Sequence, residues 1–354
     1  MKKYIYALAT FGVLTLFFSC SATEQLALNT IEPSPVTLEH TIKRIGIINP
    51  SQQEVATQGN MKIDYILAAE KRWFNENGTD AAITGLFDQL LKDERFEVVE
   101  ILNNVPEEVQ KIGQAPSEGE WSSIKELCEL YQVDAIFSLA FFDTDTKISL
   151  KKTKMESTDM MRDEKQVAAQ ELTLETFIEN GWRIFDPKNR VLIDDIVLME
   201  QIVSKGKGET VSIAYFSIEN RREAMLAVSK NNGSNYGQRL LPQESTVYRD
   251  YYVKGSNSFV AAGEKAAAGN WIDAIALWEQ ETQSSNTKLK SRAYHNLAVA
   301  SEKSENLNEA LTLANLALEA HDDQIYHEYI SKLEMRIKKL PILQKQLTAI
   351  EFSN

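Results

Sequence analysis

The sequence predicts an α+β protein: an N-terminal α/β domain with a mixed sheet, followed by a C-terminal α-helical repeat unit. Three observations carry this prediction. Residues 42 to about 204 alternate short strand-like runs with amphipathic stretches and close on a hairpin pattern. Residues 255 to about 340 are helical in pattern and repeat small residues at a fixed interval, Ala274 aligning with Ala310. The chain of 354 residues, less its first segment, is long enough for two domains, each with a core of its own.

The N-terminus comes first. Lys2 and Lys3 precede an apolar run, residues 4–18. At about 15 residues this run suits the apolar part of a signal peptide and is short of the roughly 20 needed to span a bilayer. It ends in Leu16, Phe17, Phe18, Ser19 and Cys20, which resembles the bacterial lipobox, where a small residue precedes a cysteine that is lipidated. Phe17 and Phe18 are larger than that pattern favours, and a plain secretory signal with an incidental cysteine is the alternative. The expectation is a signal peptide over 1–19, then lipid attachment at Cys20 and a tether over 20–41 containing Pro33 and Pro35.

In the α/β domain, residues 42–50 (IKRIGIINP) read as a strand ended by an Asn-Pro turn. Residues 80–92 carry Ile83, Leu86, Phe87, Leu90 and Leu91 at core-facing helical spacing. Residues 96–102 (FEVVEIL) read as a strand. Ser123 with Glu126 gives a capping-box pattern for the next helix, whose apolar side is Ile124, Leu127, Cys128 and Tyr131. Residues 133–142 are nearly all apolar, as in a strand covered on both faces. Two runs around the Asp-Pro turn at 186–189 predict an antiparallel hairpin. The polar residues 151–170 read as a long loop.

Residues 205–254 read as a connecting region with a helix near 219–230 and a loop at NNGSNYG. Two helical units follow over 255–340. Ala262 and Ala298 take the small position of each first helix, and Leu297 stands beside Ala298. Gly269 takes the turn, Trp271 and Leu307 the large position after it, and Ala274 and Ala310 the small position of each second helix. Trp278 and Ala317 take later positions. This resembles the tetratricopeptide repeat, whose usual period is about 34. Ala314 stands where an aromatic is usual, Glu281 where an alanine is usual, and neither unit has the closing proline. A capping helix is expected after the second unit, because two repeats alone do not make an independent solenoid. Residues 341–354 read as a tail.

Taken as a whole, the chain resembles the tetratricopeptide-repeat lipoproteins of unknown function common in Bacteroidota. The most specific segment is SKNNGSNYGQRLLPQESTVYRDYYVKGSNSFVAAGEKAAAGNWIDAIALWE, residues 229–279, in which Arg249, Tyr251 and Tyr252 lead into the first repeat. The α/β half is similar, more distantly, to the periplasmic domains of the curli secretion lipoprotein, the TolB amino-terminal domain and lipoprotein activators of penicillin-binding proteins. That resemblance implies a binding or assembly part.

The chemistry of the chain points the same way. A net charge of −13 disfavours nucleic acid. The four histidines, His40, His295, His321 and His327, form no metal-ligand motif, and no phosphate loop or serine elbow occurs, so no cofactor, metal or catalytic residue is expected. Cys128 sits at an apolar helical position, where it acts as a small hydrophobe. Tyr248, Arg249, Tyr251 and Tyr252 are candidates for a partner surface, with packing between the two domains as the alternative. The expected function is a membrane-anchored protein that binds a protein or peptide partner through its helical repeats. A structural subunit of an envelope complex is the second reading and an envelope enzyme the third. Ser-Ala-Thr-Glu-Gln after Cys20 is less acidic than surface-export signals, which favours the periplasmic face of the outer membrane. The partner's identity and the oligomeric state are not legible.

Overall fold

A computed structural model describes residues 22–48, 62–102, 113–158 and 164–351. An N-terminal mixed-sheet region is followed by a run of helices, so the protein is α+β. The chain divides into two units. One comprises Ser34–Leu241 with the residues from Gln346 onward, the other the residues up to Pro33 with Pro242–Lys345. The first strand, β1 (Thr23–Glu32), belongs to the second unit.

In the α/β unit the chain runs through β2 (Arg44–Ile48), α1 (Lys62–Leu90), β3 (Val98–Leu102), α2 (Glu118–Tyr131), β4 (Ala135–Thr158), β5 (Glu164–Asp186), β6 (Val191–Gly208), α3 (Val211–Phe216) and α4 (Arg221–Gln238). The sheet order is β3-β2-β4-β5-β6, with β2 parallel to both neighbours and β4-β5-β6 antiparallel. Where the strands are parallel the sheet is buried on both faces. Ile45, Ile47 and Phe137 pack with Phe74 and Leu86 of α1. Ile48, Leu102 and Ile136 pack with Ile124, Leu127 and Cys128 of α2. Covering both faces is what turns these strands into near-continuous apolar runs.

Several expectations need correction here. Helix α2 begins earlier than Ser123: Ser117 is its N-cap and forms the capping box with Glu120. Helix α1 starts at Lys62, far ahead of the segment 80–92; among the described residues its N-terminal half buries only Ile63, Glu70 and Phe74, too few for an apolar stripe. Residues 151–170 form no loop in the described part. They are the outer arms of the β4-β5 hairpin, paired from Lys151↔Glu171 out to Thr158↔Glu164. Lys151 opposes Glu171, while Lys152, Lys154 and Glu156 face Gln170, Ala168 and Gln166; these polar arms lack the apolar alternation that marks a strand in composition. A register shift between Leu139 and Phe141 swaps the faces of β4, so that Phe137 and Leu139 and then Phe142 and Thr144 face α1.

Nor is 205–254 a connector. Strand β6 runs to Gly208, and NNGSNYG lies inside α4. Gly85 and Gly233 explain the helix. A Cβ on Gly85 would lie 1.9 Å from the carbonyl oxygen of Lys230, and one on Gly233 would lie 1.8 Å from that of Ala82. Helices α1 and α4 therefore cross backbone to backbone, and the glycines that read as a loop are there for that approach.

In the helical unit, β1 pairs antiparallel with β7 (Gln243–Tyr252) along its whole length, Thr23↔Tyr252 to Glu32↔Gln243. The expected tether over 20–41 is therefore mostly structure. After β1, Val36, Leu38 and Ile42 enter the core of the α/β unit. Next come α5 (Asn257–Ala267), α6 (Trp271–Glu281), α7 (Thr287–Lys303), α8 (Leu307–Ala320) and α9 (Gln324–Glu351). Side chains of Ser256, Asn270 and Asn286 cap α5, α6 and α7. Gly269, at φ +81°, makes the turn between α5 and α6. Ala262, Ala274, Ala298, Ala310, Ala314 and Ala317 are fully buried with Trp278, Leu297 and Leu307, and Trp271 packs against them. The expected tail is instead helical through Glu351, across Pro341. In the α/β unit Gln346 holds the backbone of Ser34, accepting from its N–H at 2.8 Å and donating to its carbonyl at 3.1 Å.

Candidate functional site

The densest set of polar contacts in the helical unit lies along one side of α7. His295 and Asn296 follow Arg292 by three and four residues and Glu302 follows His295 by seven, two helical turns, which puts them on one face of the helix. That face holds the extended segment at the end of β7. Asn296 accepts from the Tyr252 N–H through Oδ1 at 2.7 Å and donates through Nδ2 to the Tyr252 carbonyl, also at 2.7 Å. His295 Nε2 lies 2.9 Å from the Asp250 carbonyl and Arg292 Nη1 donates to the Lys254 carbonyl at 3.0 Å. These contacts are made to backbone, so they recognise an extended chain and not a side-chain type.

Side-chain recognition is added at both ends. Arg249 donates to Glu302 in a fork, Nε at 2.8 Å and Nη2 at 2.9 Å. The buried Glu302 carboxylate also accepts from Tyr329 Oη at 2.8 Å and from Arg336. Burial raises the Glu302 pKa, but these donors, led by Arg249, outweigh it and hold the carboxyl below its usual range. At the other end Tyr251 packs on Trp271 and Trp278, with ring centroids at 5.6 and 6.1 Å, and donates to Glu24 of β1 at 2.9 Å. Tyr252 lies under the Arg292 guanidinium at 4.6 Å and edge-on to His295.

His295 is enclosed by Tyr252, Tyr326 and Tyr329. Burial pulls its pKa down to about 4. The ring is therefore neutral near pH 7, and because a carbonyl can only accept, the proton sits on Nε2. Among the described residues its Nδ1 has no hydrogen-bond partner.

This site overturns most of the proposed partner surface. Arg249, Tyr251 and Tyr252 are buried in the helical unit, and only Tyr248 of the four is exposed, at 60%. The polar face of α7 is engaged by the chain's own β7. His295, Asn296, Glu302, Tyr326 and Tyr329 escaped sequence reasoning. Their one local signal is a polar stripe through an alanine-rich, buried helix.

The ribbon of β1 and β7 turns its other face outward. Ala27, Asn29 and Ile31 of β1 and Thr246 and Tyr248 of β7 are exposed there, Ala27 opposite Tyr248 and Asn29 opposite Thr246. Beside it a cavity of about 170 Å³ is lined by residues 27–30 of β1 and by Glu302, Lys303, Glu305 and Arg336.

The α/β unit holds a larger cavity, about 350 Å³, lined by Lys125, Cys128, Asp134, Asp186 and Lys188 among others. It lies at the N-terminal ends of β2 and β4, the opposite end from the usual ligand crevice of open α/β sheets. Burial, ahead of Asp134, pushes the Cys128 thiol up to about 12, so it is protonated at neutral pH and a poor nucleophile. Inside this unit Arg221 pairs with Glu70 at 3.1 Å, and Tyr215 donates to the same carboxylate at 3.0 Å. This buried pair joins α1 to α4 and has no free face. Among the described residues no group of three or more His, Cys, Asp or Glu is placed to hold a metal ion, and no helix is long and apolar enough to cross a membrane. Cys20 lies outside the described residues.

Solved structures similar to this chain include a PelC dodecamer from Paraburkholderia phytofirmans, at 8% identity and a TM-score of 0.22, covering 62% of this chain and 99% of that one. Another is a neuraminyllactose-binding hemagglutinin homolog from Helicobacter pylori, at 12% identity and a TM-score of 0.22, covering 58% and 93%. No curated protein matches the sequence. Residues 260–335 match a domain of unknown function, DUF6340, and residues 42–252 match another, DUF8603. The second match spans more than half of the chain, which therefore belongs to the DUF8603 family of domains of unknown function.

Proposed function

We propose that this chain is a non-catalytic, lipid-anchored adaptor of the cell envelope, attached through Cys20 at the periplasmic face of the outer membrane and binding a protein partner through its helical unit. The resemblance of its helices to tetratricopeptide repeats, and of the whole to the Bacteroidota lipoproteins that carry them, supports this reading. The observation that carries it is the ribbon of β1 and β7. Its inner face is held by α7, so a partner takes the outer face, around Tyr248, Asn29 and Ile31. Strand β1 starts at Thr23. Two residues separate it from Cys20, so lipid at Cys20 holds the helical unit within roughly 10 Å of the bilayer. A partner bound there is a partner at the membrane.

The anchor is tested by Cys20→Ala in cells fed a fatty-acid analogue. The variant is expected to lose the label and leave the membrane fraction. Undiminished labelling would remove the anchor from this reading. The second reading, a structural subunit of an envelope complex, is favoured by β6, whose outer edge pairs with no strand among the described residues.

A further inference from the structure

Strand β1 has one edge on β7 and a second edge that pairs with no strand among the described residues. In an antiparallel pair, alternate residues turn their N–H and C=O toward the partner strand and away from it. The Val253 N–H donates to the Ala22 carbonyl at 3.0 Å, whereas the N–H and carbonyl of Tyr252, opposite Thr23, turn away to Asn296. The odd-numbered residues of β1 therefore turn their backbone groups away from β7, and Ala27 and Asn29 present theirs at the second edge. The cavity of about 170 Å³ beside the ribbon lies there. It is lined by the exposed Ala27 and Asn29 and the buried Leu28 and Thr30, from both faces of β1, and by no described residue of β7. At roughly 30 Å³ for a water, this is room for about five waters or for one end of a peptide.

We propose that this cavity holds the C-terminal carboxylate of an extended peptide whose backbone pairs with the edge of β1 at Ala27 and Asn29. Charge selects an anion. The Glu302 carboxylate takes Arg336 as well as Arg249. Lys303 and Glu305 border the same cavity. Arg249, Arg336 and Lys303 thus stand against Glu302 and Glu305, with one positive charge in excess. A single carboxylate balances it, while a doubly charged phosphate would face Glu305 with a charge to spare. The Lys303 ammonium lies over the Trp271 ring at 5.7 Å, which leaves Arg336 to hold the anion. Arg336 gives one N–H to Glu302, and its other donors have no partner among the described residues. Guanidinium–carboxylate bonds are charge-assisted and strong. Position selects a chain end. Lys339 of α9 holds Glu32 at 2.7 Å, so α9 stands at the end of this edge, and Arg336 lies one turn before Lys339. A chain running along β1 from Gln25 meets Arg336 and stops there. The edge supplies main-chain pairing and the guanidinium reads the terminus. The inference rests on the adaptor reading and deepens it, naming what the partner presents beside Asn29.

Full-length protein in detergent provides the test, titrated calorimetrically with acetyl-tetraalanine. The peptide acid is expected to bind at millimolar concentration, and its C-terminal amide about tenfold more weakly, as loss of one charge-assisted pair implies. Acetate, which lacks the backbone, is expected to bind more weakly than the peptide acid. Arg336→Gln is expected to abolish the preference for acid over amide. Ala27→Pro removes one edge N–H and no buried side chain; it is expected to weaken the peptide acid and leave acetate unchanged. If either variant fails to fold, the comparison of acid, amide and acetate on the parent decides alone. No binding of the peptide acid, equal binding of acid and amide, acetate as tight as the peptide, a preference that survives Arg336→Gln, or peptide binding undiminished by Ala27→Pro would each overturn the proposal. The titration needs no cellular partner, so its failure is distinct from a failure of the adaptor reading in cells.

Discussion

His295 shows how a single residue ties the helical unit to pH. Its buried ring has a folded pKa near 4, below the unfolded value of about 6.5. The unfolded chain therefore binds the extra proton first as pH falls. The contribution is complete above the unfolded value and is lost progressively from pH 6.5 toward pH 4, on the order of 3 kcal/mol in all. Asp250, through its carbonyl, and Glu302 favour the charged ring but do not offset its burial. Glu302, whose own pKa is lowered, adds a further loss of stability only below its ordinary range. Thermal melts between pH 7 and pH 4.5 are expected to show this decline, and His295→Gln, which keeps a donor for the Asp250 carbonyl, is expected to flatten it. A parent protein equally stable at both pH values would refute the assignment. None of this was legible in the sequence, where His295 is one of four scattered histidines. What makes it special is a strand 45 residues earlier, laid against its helix by the fold.

At the scale of elements, the visible parts of the sequence were those with a local period. The stripe at Ile83, Leu86 and Leu90 and the apolar run before Phe142 marked a helix and a strand that exist. Small residues at matched positions marked the helix pairs, and Ala262, Ala274, Ala298 and Ala310 are all fully buried. What failed were elements specified by a distant partner. Strand β1 looks like a tether until β7 pairs with it, and the second half of α4 looks like a loop until α1 lies against its glycines. The two close contacts give matched predictions. Gly233→Val forces α4 off α1, and Ala310→Trp forces apart the helices around α8. Each is expected to cost about 1–3 kcal/mol or more. Calorimetry is expected to show Gly233→Val lowering the transition of the α/β unit and Ala310→Trp that of the helical unit. A variant that melts like the parent would mean that its contact is looser than described.

For the whole molecule, the sequence correctly foretells the fold class and its order, sheet first and helices after, because periods of two and 3.6 residues separate them cleanly. It could not foretell that residues 23–32 would cross from the N-terminus into the C-terminal helices. That crossing carries the functional argument. It lays the chain's own ribbon against α7 in the helical unit, with Thr23 of that ribbon three positions after Cys20. The partner surface proposed from Tyr248, Arg249, Tyr251 and Tyr252 thereby shrinks to Tyr248 and gains Asn29 and Ile31 from the other end of the chain. The most direct test of this account is photo-crosslinking in living cells, with a crosslinking phenylalanine analogue at Tyr248 and, as the inward-facing control, at Leu28. The account predicts one discrete protein adduct from Tyr248 in the membrane fraction, none from Leu28, and loss of the adduct when Cys20→Ala is added. Adducts from Leu28 but not from Tyr248, or no protein adduct from Tyr248 at all, would contradict it.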